Sequence, residues 1–250
     1  MKTWLRRSVI GPMIGVKICG FTNVPDAVAA ADAGADAIGL NFFAGSKRRV
    51  DLATAQAIAA AVARRVTLVG VFVNHSASEI LALASRVPLD VVQLHGDEPP
   101  SIGAALSAAA DPRNREIVGG GVLGAGARAP AVWRAVRCRD LAATATAVAW
   151  VQAYQAVAGR PLDALLVDAY DPGEYGGTGK RADLTVFATL CEQLPRLPIW
   201  LAGGLTPENV AAAVASAHPA GVDTASGVEI APGVKDADRM RRFVAAARSA

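Results

Sequence analysis

Ile14-Gly15-Val16-Lys17-Ile18-Cys19-Gly20 is a short apolar run that ends in a thiol and a glycine. Ala164-Leu165-Leu166-Val167-Asp168 is a second, ending in a carboxylate and leading toward Glu174-Tyr175-Gly176-Gly177-Thr178-Gly179-Lys180. Runs with so little polar alternation mark strands covered on both faces, as in a parallel sheet enclosed by helices. They recur near residues 14 to 18, 36 to 42, 66 to 73, 89 to 94, 131 to 136, 163 to 168, 197 to 202 and 220 to 225, each followed by a helical pattern. Eight strand-then-helix units of near-uniform length imply an α/β fold, a single closed (β/α)8 TIM barrel over residues 1–250. Residues 1–13 and a glycine-rich insertion around 111–130 are additions to that pattern.

Local signals support the helices. Asp51 precedes an alanine-rich run, Ser76 has Glu79 three residues on as a capping box, and Thr206 stands just ahead of Pro207 at an expected first turn. Gly34 sits where a glycine ends the first helix. Between strands four and five, from His95 to Pro130, the chain carries Gly119-Gly120-Gly121, Gly124 and Gly126, too much glycine for a helix or central strand. Its second half therefore reads as a surface excursion. A competing register puts Ile117-Val118 in strand five; Ala131 to Val136 is preferred because the helix after it then has ordinary length.

Composition excludes several classes of protein. With 52% hydrophobic and 19% charged residues the chain can bury a large core, which argues against disorder. A net charge of +3, with basic residues spread along the chain, gives no nucleic-acid footprint. Cys19, Cys138 and Cys191 form no CxxC pair, the pattern of a reduced cytoplasmic protein, and His75, His95 and His218 lack ligand spacing, so no metal is expected. Lys2, Arg6 and Arg7 are followed by an apolar stretch broken at Pro12, which does not suit a signal peptide. Leu141 to Gly159 is uncharged, but Thr144, Thr146, Gln152 and Gln155 fit a packed helix better than a membrane span.

The carboxyl ends of parallel strands face the ligand. Side chains alternate along a strand, so Lys17 and Cys19 point inward together, and a thiol beside an ammonium loses its proton more easily. Taken alone, Cys19 also reads as a small buried hydrophobe, as Cys138 and Cys191 do. Asp168 shares a face with Leu166, where an unpaired carboxylate is costly; the protonated state this favours is the one a general acid starts in. Capping of the glycine loop beyond it is the plainer alternative. Gly203-Gly204 after strand seven and Ser226-Gly227 after strand eight occupy the loops whose backbone N–H groups grip phosphate in such barrels. Ser46-Lys47-Arg48-Arg49 is either a solvated basic loop or, at the mouth, a carboxylate clamp built on Arg48. Gln93 and His95 share a face at the end of strand four, and only that position lifts His95 above a packing residue.

Together the strings Lys17-Ile18-Cys19-Gly20 with Thr22-Asn23, Gly34 to Gly39, Ser46-Lys47-Arg48, Val69 to Phe72, Gln93 to Gly96, Tyr175 to Lys180, Ala202 to Leu205 with Pro207 to Val210, and Ser226 to Glu229 resemble the phosphoribosylanthranilate isomerases of tryptophan biosynthesis. The resemblance runs in order from about Ile14 to the C-terminus. It implies an Amadori rearrangement in a (β/α)8 barrel with neither cofactor nor metal. It also implies that Cys19 is the general base and Asp168 the general acid, that Arg48 holds the anthranilate carboxylate, and that Gly203, Gly204, Ser226 and Gly227 hold the phosphate. Phe21 replaces a smaller aliphatic residue of the pattern, and Ala225 replaces a common serine. The expected partner is a small phosphosugar, with no nucleic acid or membrane, and a monomer or homodimer. The rival reading is another phosphosugar-handling barrel such as a sugar-phosphate epimerase; a metal-dependent one would want converging histidines and acids that the chain lacks. A dual-substrate isomerase of histidine and tryptophan synthesis would carry aspartate at position 19. A non-catalytic phosphosugar-binding protein would leave Cys19 and Asp168 unexplained.

Overall fold

The computed structural model of the chain describes residues 14–109, 130–138, 140–169 and 184–250. The N-terminal addition, the glycine-rich insertion except Pro130, the competing Ile117-Val118 register and the Tyr175–Lys180 loop lie outside the described residues. Eight parallel strands close into a barrel in chain order. They are β1 (Gly15–Cys19), β2 (Ala37–Asn41), β3 (Thr67–Phe72), β4 (Val91–Leu94), β5 (Ala131–Cys138), β6 (Ala164–Ala169), β7 (Ile199–Leu201) and β8 (Gly221–Thr224). The preferred register of β5 is the one found, pairing Val91 with Ala131 and Arg137 with Asp168. Closure comes from β1 against β8, with Lys17 opposite Asp223.

The helices are α1 (Val24–Asp32), α2 (Leu52–Ala61), α3 (Ala77–Ala84), α4 (Pro100–Ala109), α5 (Leu141–Ala158), α6 (Leu184–Gln193), α7 (Val210–Ala217) and α8 (Ala237–Arg248). Asp51 and Ser76 cap α2 and α3 as their sequences suggest, Ser76 with the reciprocal Glu79 bond. Gly34, at φ 88°, ends α1, with the Ala35 N–H reaching back to Ala30 O. The start of α7 is different: the helix begins at Val210 rather than at Thr206-Pro207. The Asn209 carboxamide accepts from Thr206 N at 2.8 Å and donates to Gly204 O at 2.9 Å, so residues 206 to 209 form a side-chain-closed turn instead. The uncharged α5 buries one stripe, Thr144, Ala147, Val151 and Tyr154, as a packed helix does.

Two apolar layers follow from strand alternation. Outward residues such as Ile18, Ile38, Leu94, Leu165 and Val222 pack under the helices. Inward ones, among them Ala37, Val69, Val91, Trp133, Leu166 and Trp200, fill the barrel, with the two indoles 4.9 Å apart. After β8 a 3-10 turn (Ser226–Val228) leads into a small antiparallel hairpin, β9 (Glu229–Ala231) and β10 (Val234–Lys235), which folds beside the mouth.

Candidate active site

The carboxyl ends of β1, β4, β6 and β8 bring together residues scattered through the sequence. Cys19 is half-buried against the inner apolar layer. A Cβ at position 39 would stand 2.6 Å from its Sγ, so glycine on the neighbouring strand makes room for the thiol. Asp168, 6% exposed, continues the inward face of Leu166 and lines a pocket with Gly203, Gly204, Asp223, Ala225 and Ser226.

Below the thiol, Lys17 is fully buried and donates to both oxygens of Asp223 at 3.0 Å. Burial opposes its charge, but Asp223, with Cys19, outweighs that and holds it as ammonium above its usual range. Burial likewise pushes the Cys19 thiol up, and the cations of Lys17 and Lys235 only partly offset this. Lys17 therefore eases ionisation of the thiol, as its position in the sequence suggests, but burial and the charge of Asp223 outweigh it. Asp223 was not among the sequence candidates; its signal is a carboxylate inside the apolar run of β8.

On the opposite side Gln93, fully buried, approaches His95 Nδ1 at 3.0 Å, and His95 Nε2 lies 3.4 Å from Asp168 Oδ2. With the amide placed so that Gln93 donates, the imidazole proton sits on Nε2 and faces the carboxylate. Turning the amide reverses the roles and leaves Nε2 to accept from a protonated Asp168. The loop behind His95 is stiffened by buried Glu98, which accepts from Gly96 N at 2.9 Å, Asn74 N at 2.7 Å and Arg134 Nη1 at 2.7 Å.

Arg48 lies over Gly20, the residue that follows Cys19. It is no solvated loop residue: its Nε and Nη2 grip Glu229 at 2.8 and 2.7 Å. Buried Lys235 adds a second cation to Glu229 at 2.8 Å. Burial would raise the Glu229 pKa, but Arg48 and Lys235 together bring it below the ordinary carboxylate range. Burial in turn pushes Lys235 down, against the pull of Glu229. Glu229 closes a quoted motif but drew no role from sequence, and Lys235 lies beyond the last motif.

Gly203 and Gly204 adopt φ of 95° and 63°, a left-handed turn that side chains disfavour and that Asn209 holds through Gly204 O. A Cβ on Gly227 would come within 2.0 Å of Leu205 O, and Thr224 Oγ1 donates to the same carbonyl at 2.7 Å. The two glycine-bearing loops thus pack against each other and form one wall of the pocket. Such backbone suits a tetrahedral oxyanion.

A family model described as N-(5'phosphoribosyl)anthranilate (PRA) isomerase matches residues 16–118 and 140–246. An N-(5'-phosphoribosyl)anthranilate isomerase of Acidithiobacillus ferrooxidans is 42% identical over 95% of this chain and 98% of its own. Among solved structures, phosphoribosyl anthranilate isomerase from Thermotoga maritima superposes with a TM-score of 0.75 at 33% identity, covering 95% of this chain and all of that one. A second, of such an enzyme in complex with reduced 1-(o-carboxyphenylamino)-1-deoxyribulose 5-phosphate, gives 0.70 at 30% identity with the same coverage.

Proposed function

Since the chain belongs to the N-(5'-phosphoribosyl)anthranilate isomerase family, we propose that Cys19 and Asp168 are its general base and general acid. The enzyme converts N-(5'-phosphoribosyl)anthranilate to 1-(2-carboxyphenylamino)-1-deoxyribulose 5-phosphate, an Amadori rearrangement in tryptophan biosynthesis. The epimerase alternative is not favoured, because the family match covers both halves of the barrel.

Asp168, as carboxylic acid, protonates the ribose ring oxygen. The C1–O bond breaks toward that oxygen, and the anthranilate nitrogen lone pair forms a C1=N iminium. Cys19, as thiolate, takes the proton from C2; the C–H pair becomes C1=C2 and the iminium pair returns to nitrogen, giving an enolamine. Ketonisation delivers a proton to C1 and releases one from the C2 hydroxyl, so no net proton is consumed. Arg48 holds the anthranilate carboxylate, His95 backs Asp168, and the Gly203-Gly204 and Ser226-Gly227 loops take the phosphate. The observation that carries these roles is the shared pocket: Asp168, Asp223 and both glycine-bearing loops line it, and Asp223 is tied through Lys17 to the strand that ends in Cys19. Cytoplasmic residence is part of the same proposal, supported by cysteines without CxxC pairing.

Positioned proton transfer contributes roughly 100-fold to 10,000-fold per group. Purified Cys19→Ser and Asp168→Asn proteins are therefore expected to keep their circular dichroism and melting temperature while losing at least about 100-fold in kcat. They are also expected not to rescue a tryptophan auxotroph lacking this isomerase. Wild-type turnover in either variant removes that residue from the mechanism.

A further inference from the structure

Arg48 poses a problem for the reading just given, because the guanidinium assigned to the substrate carboxylate already holds a protein carboxylate with two parallel hydrogen bonds. A one-to-one pair of Arg48 and Glu229 is neutral, and a neutral pair attracts a further anion weakly. Lys235 changes that balance. Its Nζ lies 2.6 Å from Cys19 O, 3.1 Å from Ala225 O and 2.8 Å from Glu229 Oε1. Three acceptors match the three N–H donors of an ammonium; an amine would turn its lone pair toward one of the oxygens. The ring of Phe21, which departs from the family pattern, lies with its centroid 5.4 Å from Nζ and favours the charged form in a site with little water.

Glu229 is thus shared between two cations, and the trio of Arg48, Glu229 and Lys235 carries one more positive charge than negative. We propose that Lys235 is a positioning residue for substrate binding: by sharing Glu229 it leaves Arg48 oriented by that carboxylate yet still attractive to an anionic ring substituent. The same ammonium ties the carbonyl of the base residue to the carbonyl that precedes Ser226, so the charge is set between the thiol and the phosphate loop. The inference rests on the Arg48 assignment above and extends it to a residue outside the family motifs quoted from the sequence.

The test is calorimetric. Two ligands are compared, reduced 1-(o-carboxyphenylamino)-1-deoxyribulose 5-phosphate and the same compound without its ring carboxyl, and the ratio of their Kd values reports the preference for the carboxylate. Arg48→Ala is expected to abolish that preference; if it does not, the Arg48 assignment itself falls. Lys235→Met is expected to cut the preference about tenfold, with a smaller change in affinity for the decarboxylated compound. Glu229→Gln/Lys235→Met removes one charge of each sign, restores the excess positive charge and is expected to recover most of the preference. A Lys235 that only staples two carbonyls predicts a double variant as impaired as the single one, and that result overturns the proposal. So does an unchanged preference in Lys235→Met when Arg48→Ala has lost it. Should Lys235→Met fail to fold, Glu229→Gln alone, with two cations and no anion, is expected to preserve or increase the preference, and a loss there overturns the proposal.

Discussion

The two sides of the barrel mouth are built from different materials. Around Cys19, where β1 meets β8 and the hairpin, the groups form ion pairs: Lys17 on Asp223, and Arg48 and Lys235 on Glu229. Asp168 shares its pocket with Asp223, but the side chains that approach it from β4 are an imidazole and the carboxamide behind it, groups that pass or hold a proton without a fixed charge. The difference suits the role proposed for each group. A buried thiol becomes an anion only against the cost of burial, so cations are placed near it. A carboxyl that must give up a proton and take it back is better served by a partner that both donates and accepts.

The sharpest way to break this contrast is to strip the charged side. Lys17→Met leaves Asp223 buried without its ammonium, and denaturant unfolding should report a loss of about 3–5 kcal/mol. Replacing both, as Lys17→Met/Asp223→Leu, should recover much of that stability but not turnover; a Lys17→Met protein as stable as wild type would mean that the pair is not held in the interior.

On the other side the effect should be kinetic. His95→Ala is expected to reduce kcat by roughly tenfold with an unchanged melting temperature, and His95→Gln, which keeps one donor near the carboxyl, to lose less. Full turnover in His95→Gln would make the imidazole's exchange of donor and acceptor roles irrelevant.

A smaller effect concerns pH. Since burial raises the Cys19 pKa, its thiolate fraction grows only above the range in which an ordinary thiol, at about 8.5, ionises. Alkylation of Cys19 by iodoacetamide, followed by peptide mass spectrometry in a background lacking Cys138 and Cys191, should still be climbing at pH 9. A plateau by pH 8 would place the resting thiol in a more cationic setting than the one described. The smallest effect lies far from the mouth: Ser76→Ala removes the cap of α3 and should cost about 1 kcal/mol in unfolding with kcat unaltered.

The barrel and most helix starts were legible because each depends on local chemistry. Strands buried on both faces read as apolar runs, and Asp51, Ser76 and Gly34 act within their own turn. Cys19, Asp168 and His95 could be placed at the mouth from alternation alone. What stayed hidden depends on who stands opposite whom. Lys17 reads as a helper of Cys19, but closure of β1 on β8 brings Asp223 to the same ammonium, and no local pattern states that register. Arg48 could be read as exposed or as a clamp, but Glu229 and Lys235 reach it through a hairpin whose fold back to the mouth no local pattern states. The false start at Thr206-Pro207 has a similar origin: Asn209 spends its carboxamide on the preceding turn and on Gly204, and a sequence pattern does not record that choice.

The bridge between Lys17 and Asp223 joins residues 206 positions apart, the earliest and latest strands of the ring. Ribosomal synthesis delivers one of them long before the other, and contacts this distant in the chain form late because loop closure must precede them. While the polypeptide is being made, the thiol proposed as general base belongs to a strand with an open flank and a lysine whose counter-ion does not yet exist. The surroundings of the thiol are therefore completed by the final strand to arrive, and a nascent or prematurely terminated product carries the thiol without the ion pair beneath it.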